Sequence, residues 1–481
     1  MTDQPAPIPD PAADPSADPA TASAAPVALV ILAAGQGTRM RSDRPKVLHE
    51  VAHAPLLHHA MRAGGALGPA RTVVVVGHGG AAVGEAARAL EPGAAVAEQA
   101  ERRGTAHAVA QARPALEGFS GDVLVLYGDT PFIGAGALGR MRAARAAGAD
   151  LVVLGFEAAD PARYGRLVTE GGPDGDPGAG DRLLRIVEFK DATDSERAIA
   201  LCNSGVVMAD ADLLWSLIDA VGNANAAGEF YLTDIAGIAR GRGLEARVVR
   251  CAEEETLGVN SRADLAAAEA AFQRRARAAA LEDGVTLPAP ETVMLAFDTV
   301  LGRDCTVEPF VVFGPGVTVE TGARVRAFSH LEGCHVGAGA VVGPHARLRP
   351  GAEIGNDARV GNFVEIKAAA IGEGAKVPHL SYVGDAEIGA RANLGAGTVT
   401  CNYDGVFKHR TTVGEGAFIG SSTMLVAPVR VGAGALTGSG SVITEDVPEG
   451  ALALGRARQV TKPGLAAKLR ERLRALKAGE G

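Results

Sequence analysis

The sequence predicts an α/β chain in two folded parts: a domain of parallel strands covered by helices, then a coiled prism of short parallel strands. Three observations carry this. The chain has 481 residues, more than one hydrophobic core serves, because domains run roughly 100 to 200 residues. Its first half alternates branched-aliphatic runs with helix-like segments, whereas its second half repeats a large aliphatic residue every six positions. Aromatic residues make up only 4% and glycines number 63, so the cores must be built from Val, Ile, Leu and Ala.

Residues 1–26 contain Pro, Ala, Asp and Ser but no Lys or Arg. They lack the basic start of a signal or transit peptide and have the composition of a disordered extension. The apolar run Val27 to Ala34 is far shorter than the roughly 20 residues that span a bilayer. The formal net charge is −9, which argues against a general nucleic-acid binder, since such proteins need a basic face to displace phosphate counterions. Neither nucleic acid nor membrane is therefore expected as a partner. The cysteines Cys202, Cys251, Cys305, Cys334 and Cys401 form no CxxC pair, as expected of free thiols in a reducing, cytoplasmic compartment.

Residues 27–262 read as the first domain. The runs VALVILAAG, RTVVVVGHGG, DVLVLYGD and DLVVLGF are short, continuous and end in Gly, Asp or Phe. Such strands are expected where both faces of a parallel sheet are covered, and ligands then gather at the strand carboxyl ends. Chemistry is thus expected at LAAGQGTRM and YGDTP. In the first, Gly35 and Gly37 let backbone N–H groups approach a phosphate, and Arg39 and Lys46 can neutralise its charge. The segment fits neither G-x-G-x-x-G nor the Walker pattern, so dinucleotide and P-loop readings lose ground. In the second, Asp129 closes VLVLYGD, and a strand end presents it in the cleft.

Residues 263–283 have no Gly or Pro and are rich in Ala, Arg, Glu and Leu, predicting one helix, read as an arm between domains. Pro288 and Pro290 then mark a boundary, and residues 284–481 form the second domain. Val307, Phe313, Val319, Val325 and Leu331 stand six apart, as do Val336, Val342, Leu348, Ile354, Val360 and Ile366, and again Val413, Ile419, Leu425, Val431, Thr437 and Ile443. A period of six fits neither a helix nor an alternating strand, but it fits a parallel β-helix whose short strands each turn one aliphatic inward. Two stretches are expected to break the period, Ala375 to Val383 (AKVPHLSYV) and Cys401 to Thr412 (CNYDGVFKHRTT), and breaks in a solenoid are where function is inserted. The segment 170–181, EGGPDGDPGAGD, reads as a solvated loop lengthening a hairpin. The closing LAAKLRERLRALKAG reads as a basic amphipathic helix serving as a soluble tail.

LAAGQGTRM followed by PK resembles the signature of the sugar-nucleotide pyrophosphorylases, and more of the first domain is similar to the uridylyltransferases among them. The resemblance implies UTP and UDP-sugar contacts at Leu32, Ala33, Ala34, Gly35, Lys46, Gln99, Gly104 and Thr105, the last three forming a uracil loop. It implies sugar-phosphate contacts at Tyr127, Gly128, Asp129, Gly165, Glu188 and Asn203. Arg39 and Lys46 are implied as catalytic cations, and Asp129 with Asn260 as the ligands of Mg²⁺. Gln36 stands where many relatives have Lys.

The [LIV]-G-x-x-x-x repeat resembles the hexapeptide-repeat acyltransferases, which implies a left-handed coil against the usual crossover rule. The stretch from GPHARLRPGAEIG to TCNYDG is similar to glucosamine-1-phosphate acetyltransferase domains. An amine acceptor needs a base, and His is the default. Of His330, His335, His345, His379 and His409, the resemblance makes His379 that base; Glu365, on the coil surface, reads either as a group that orients it or as a solvated side chain. It implies Arg349, Lys367, Tyr382, Asn393, Asn402 and Tyr403 around the sugar phosphate, and Ala396, Ser421, Ser439 and Arg456 along acetyl-CoA, where Ser439 replaces a common Ala. It also implies a homotrimer. The expected activity is acetyl transfer from acetyl-CoA to glucosamine-1-phosphate, then joining of N-acetylglucosamine-1-phosphate to UTP with release of pyrophosphate. Rival readings are a nucleotidyltransferase with an inert coil, a zinc-dependent β-helix hydratase and a non-enzymatic scaffold. VPHLSY, TCNYDG and RLRPGAE would be idle in an inert coil, and Asp129 and Asn260 would be idle in a scaffold.

Overall fold

A computed structural model describes residues 25–77, 79–161, 164–170, 181–225 and 227–479. The expectations of a disordered extension over 1–26 and of a solvated loop over 170–181 fall almost wholly outside the described residues. The described residues divide into two units, one holding those up to Gly284 with Met294–Val300, the other Val285–Val293 and those from Leu301 onward.

The first unit is built on a nine-stranded sheet whose strands begin, in spatial order, at Ala95, Arg71, Val27, Asp122, Leu201, Leu151, Ala246, Asp181 and Arg166. The strand Val27–Ala33 is buried along its whole length, because helices cover both faces and every side chain meets a core. One core gathers Val30, Val73, Val125, Val153 and Leu214; the other gathers Leu29, Val74, Leu124, Leu154 and Met208. The first four strands are parallel. The sheet is not parallel throughout, as the sequence suggested: Leu201–Asp210 runs antiparallel to both neighbours. After Leu151–Glu157 the chain makes the outlying strands Arg166–Thr169 and Asp181–Val187 rather than a crossover helix, so it returns from the carboxyl end of the sheet in the opposite direction.

The predicted helix forms as Arg262–Glu282, with Ser261 accepting from the amide of Asp264 in a capping box. It is no free arm. Ala268, Phe272 and Ala276 are buried, and Gln273 holds Leu295 at both ends, donating to its carbonyl at 2.7 Å and accepting from its amide at 2.9 Å. The helix and Met294–Val300 thus belong to the first unit, which moves the boundary from a single cut to an interleaved one.

The second unit is a parallel β-helix of three sheets with eight, nine and eight strands, each strand paired with the one a coil away. The hexad residues point inward: Val307, Phe313, Val319, Val325, Leu331 and Val336 are fully buried. The interruption expected over Ala375–Val383 does not occur. Val377 and Val383 are fully buried, and Lys376–His379 and Tyr382–Gly384 take ordinary places in their sheets. That stretch is unusual in its outward side chains and not in its path. The second interruption is real: between Val399–Cys401 and Thr411–Val413 the chain leaves the coil in a small hairpin, with Tyr403 bridged to Lys408.

Candidate functional site

In the first unit the ends of two neighbouring strands build the site. Leu32 lies in register with Tyr127, and the amide of Gly128 donates to the Leu32 carbonyl at 3.0 Å. The glycine turn that follows Ala33 therefore lies beside Asp129. Gly37 has φ of 62°, and a Cβ there would fall 2.6 Å from the Cβ of Lys46, so only glycine lets the turn fold over that lysine. Lys46 is buried. Its Nζ donates to the Asp129 carboxylate and, at 3.0 Å, to Asn260 Oδ1.

Asn260 arrives from far along the chain. The amide of Val259 donates to the Asp129 carbonyl at 2.9 Å, and that of Asn260 to Asp264 Oδ2 at 3.0 Å, so the helix cap fixes where Asn260 stands. Asp129 and Asn260 thus aim hard oxygen donors at one point, which a cation occupies. Among the described residues no group of three His, Cys, Asp or Glu could hold a metal. Mg²⁺ does not require one, since it binds through one or two protein oxygens and completes its shell with water and phosphate; the pair fits that ion.

Around this centre Gln99 is buried and its Nε2 donates to the Gly104 carbonyl at 3.1 Å, bracing the loop expected to read uracil. Thr105 Oγ1 accepts from the Leu232 amide at 2.9 Å. Gly165, Glu188 and Asn203 come together: the Asn203 amide donates to the Gly165 carbonyl at 2.9 Å, and a Cβ on Gly165 would lie 3.6 Å from the Glu188 carboxylate. Thr233, which the sequence reading did not single out, donates to Glu188 at 3.1 Å. Burial raises the Glu188 pKa above the usual carboxylate range, against the lowering effect of the Thr233 bond, with Asp191 and Asp234 adding repulsion. Burial likewise raises that of Tyr127, reinforced by Asp129 and Glu188. Ala34 is half-buried, whereas Gly35 and Arg39 are exposed, and the partners of the Lys46 ammonium are Asp129 and Asn260.

In the second unit the proposed residues stack in columns, because each coil repeats the last. The amide of Gly397 donates to the His379 carbonyl, that of Ser422 to Ala396, that of Gly440 to Ser421, and Arg456 Nη1 to the Ser439 carbonyl at 2.7 Å. His379, Ala396, Ser421 and Ser439 therefore climb one corner, with Arg456 on its last step. Below His379 the adjoining corner is bulky. Phe310, Phe328, His345 and Phe363 stack at 5.1, 5.0 and 5.1 Å, and Leu380 follows them, its amide bonded to Asn362. Above it the same corner carries only Gly397, Ser422 and Gly440, which clears a path along the coil.

The other histidines of the unit are engaged elsewhere. His335 faces Glu320 at 3.0 Å, His409 faces Asp404 at 2.6 Å, and His345 lies in the ring stack. Glu365, one of whose two readings was to orient His379, is bonded elsewhere; it accepts from Arg349 at 2.8 Å, in register with Arg347 and Tyr382. The imidazole Nδ1 of His379 lies 2.5 Å from Asn362 Oδ1.

Beside this corner lies a cationic cluster. Lys367 is in register with Gly384, where a Cβ would fall 2.4 Å from the Tyr382 hydroxyl and 2.9 Å from Asn402 Nδ2, so the missing side chain admits both polar groups. Asn402 donates to Asp385. Lys408, unnoticed in the sequence, faces Lys367 and is the chief cause that lowers its pKa, with Arg349 adding to the effect. The hairpin that delivers Lys408 is held by Asp404, which accepts from the amides of Val406 at 2.8 Å and Phe407 at 2.7 Å. The His409 bond, with those amides, pulls the Asp404 carboxyl down to about 2. Asn393 is half-buried on the face before the corner, in register with Lys376. Tyr403 is not brought into the cluster; it is exposed and donates to the Gly405 carbonyl at 2.6 Å.

Residues 29–173 match the MobA-like NTP transferase domain and residues 333–368 the bacterial transferase hexapeptide of six repeats. A protein of a Jannaschia species named bifunctional protein GlmU is 62% identical over 456 residues, covering 95% of this chain and 98% of its own length. Relatives of the same name from Cereibacter sphaeroides and Ruegeria pomeroyi are each 66% identical, over 93% and 94% of this chain and 97% and 98% of their own. A solved UDP-glucose pyrophosphorylase with UDP-glucose superposes with a TM-score of 0.41 at 17% identity, over 52% of this chain and 99% of that one.

Proposed function

The chain belongs to the bifunctional GlmU family, and from that membership and the two sites we infer that it makes UDP-N-acetylglucosamine in two steps. The left-handed β-helix is an acetyltransferase that moves acetyl from acetyl-CoA to glucosamine-1-phosphate. The first unit is a nucleotidyltransferase that joins the product to UTP and releases pyrophosphate. Mg²⁺ and acetyl-CoA are the cofactor and co-substrate.

In the β-helix, acetyl-CoA lies along the cleared corner of Ala396, Ser421 and Ser439, with Arg456 at its phosphates. The sugar phosphate sits among Arg349, Lys367 and Lys408, where two ammonium groups face one another and an anion relieves their repulsion. Arg349 shares its guanidinium with Glu365 and keeps other donors for the phosphate. His379 takes the proton that the sugar amine loses as its nitrogen attacks the thioester carbon, and the coenzyme leaves as thiol.

In the first unit, Gln99, Gly104 and Thr105 seat the uracil, and Tyr127, Gly165, Glu188 and Asn203 seat the sugar. Lys46 offers a fixed cation to the phosphates. Asp129 and Asn260 would hold Mg²⁺, which supplies charge neutralisation between the two phosphate groups when bound. The attacking sugar-phosphate oxygen and the departing pyrophosphate must then lie in line across the α-phosphorus, an arrangement the glycine turn and Lys46 favour by fixing the nucleotide.

The observation that carries this reading is that each reaction's groups close up within one unit: Lys46, Asp129 and Asn260 in the first, His379 beside the Arg349–Lys367–Lys408 cluster in the second. Assembly as a homotrimer is part of the proposal, supported by the exposed ring stack that ends beside His379. So is a cytoplasmic location, in keeping with free cysteines and with described helices too short or polar to cross a membrane.

The test is a crossed pair of variants in two separate assays, acetyl transfer with glucosamine-1-phosphate and acetyl-CoA, and uridylyl transfer with N-acetylglucosamine-1-phosphate, UTP and Mg²⁺. His379→Ala should abolish acetyl transfer and spare uridylyl transfer, and Asp129→Ala should do the reverse. Loss of both activities in either folded variant would defeat the division of labour.

A further inference from the structure

We propose that Asn362 is the positioning residue of the acetyl-transfer base, holding His379 in the tautomer that leaves its Nε2 lone pair for the sugar amine. The inference rests on the reading of His379 as that base and adds how the ring is set.

The backbone puts the two residues face to face. The strands Arg359–Asn362 and Lys376–His379 both run longer than Val341–Val342, the strand before them on the same sheet, and the last residue of the first pairs with His379 at the end of the second. The amide of Leu380 donates to the Asn362 carbonyl at 3.0 Å, so the main chain clamps the turn that carries the imidazole. Gly361 makes the approach possible, since a Cβ there would lie 1.8 Å from the Pro378 carbonyl oxygen. With the coils drawn together at this point, Asn362 Oδ1 lies 2.5 Å from His379 Nδ1.

An amide oxygen only accepts, so Nδ1 must carry the ring hydrogen, and Nε2 is left as the acceptor. The step then balances. The amine nitrogen bonds the thioester carbon, its proton goes to Nε2, the carbon–sulfur bond breaks, and the imidazolium returns the proton to the departing sulfur. A carboxylate in the place of Asn362 would favour the imidazolium and hold that proton back. Among the described residues no carboxylate is bonded to the ring. The residues bonded to His379, namely Asn362 below, Ser381 on its own turn and Gly397 above, are all uncharged. Of the titratable groups on the adjoining coils, Glu365 is held by Arg349, His345 is stacked on Phe363, and Lys376 stands three residues before His379 on an exposed face.

The experiment measures kcat, both KM values and the pH profile of acetyl transfer for Asn362→Ala, Asn362→Asp and His379→Ala, with the melting curve of each variant as the check on folding of the β-helix and uridylyl transfer as the control for the other unit. Asn362→Ala should lower kcat by about 10- to 100-fold, the scale of a misaligned general base, with both KM values within about twofold of wild type. Asn362→Asp keeps an acceptor but adds charge, so the acidic limb of kcat/KM should move up by about one pH unit. A purely structural role would not move that limb. An Asn362→Ala enzyme with wild-type kcat, or an Asn362→Asp enzyme with an unmoved limb, overturns the proposal while an inactive His379→Ala leaves the base in place. An active His379→Ala would instead overturn the reading on which it rests.

Discussion

Lys46 donates its ammonium to the carboxylate of Asp129, a residue 83 positions away, at the point where the side-chain oxygen of Asn260 also converges. A tethered cation therefore stands where the divalent ion is proposed to bind, and the two must share or exchange that point. Replacing Lys46 by Ala leaves the two oxygens facing one another in a largely buried site. The variant should lose uridylyl transfer by at least about 100-fold, the scale of losing a charge-stabilising donor. It should also gain more in melting temperature from Mg²⁺ than wild type does, because the ion no longer competes with an ammonium. Melting curves with and without Mg²⁺ check this. An equal gain in the two proteins would mean that lysine and metal do not meet.

The buried carboxyl of Glu188 makes a stability prediction with a definite sign. Its folded pKa is raised, chiefly by burial, so the native state binds its proton more tightly than the unfolded chain. The stabilisation this gives is present in full below the unfolded pKa, near 4.3, and is lost as pH rises through the folded value. Glu188→Gln should therefore match wild type in acid and be the more stable protein at neutral pH. It should also lose uridylyl transfer by about tenfold or more, since a charged acceptor for the sugar is gone. Denaturant midpoints at a series of pH values test this; a Gln variant weaker than wild type at pH 7 would refute it.

The phosphate site of the β-helix predicts a pH effect in the other direction. Lys367 has a lowered pKa because Lys408 faces it, and a bound phosphomonoester should restore the proton. Lys408→Ala should raise the KM for glucosamine-1-phosphate by about tenfold, as loss of one charge-assisted bond does. At the same time Lys367 keeps its proton to higher pH, so the alkaline limb of kcat/KM should move upward. A limb that stayed in place or moved downward would remove Lys408 from the site. Uridylyl transfer is the control and should not change.

These cases mark how far the sequence could be read. The hexads Val307 to Leu331 were legible because a prism needs one buried aliphatic per face, and each of them is buried. Asp129 was legible because a strand end must present whatever follows it. Asn260 was reached only through resemblance, since it stands 131 positions from Asp129 and nothing local announces that a helix cap will carry it there. Asn362, Lys408 and Thr233 gave no signal for the same reason: each acts through a partner set by coil stacking or by the folded sheet. The antiparallel strand Leu201–Asp210 has the same composition as its parallel neighbours, and direction leaves no trace in a strand buried on both faces. The supposed interruption at Ala375–Val383 came from treating unusual side chains as an unusual path, although Val377 and Val383 keep the spacing of six.

The tightest place in the second unit supplies the last prediction. A Cβ on Gly361 would lie 1.8 Å from the carbonyl oxygen of Pro378, and both are backbone-fixed, so no rotamer change can relieve the clash. The coils carrying Asn362 and His379 would have to part. Such overpacking costs about 1–3 kcal/mol where side chains can give, and main chain gives less readily. Gly361→Ala should therefore lower the stability of the β-helix by at least about 2 kcal/mol. It should cut acetyl transfer more deeply than Asn362→Ala, because it displaces the base as well as freeing its ring. Uridylyl transfer, whose residues lie in the other unit, should persist below the melting temperature of the variant. Calorimetry with both assays distinguishes the outcomes: an Ala variant with wild-type melting and wild-type acetyl transfer would mean that the coils at Gly361 and Pro378 do not approach as closely as this account of His379 requires.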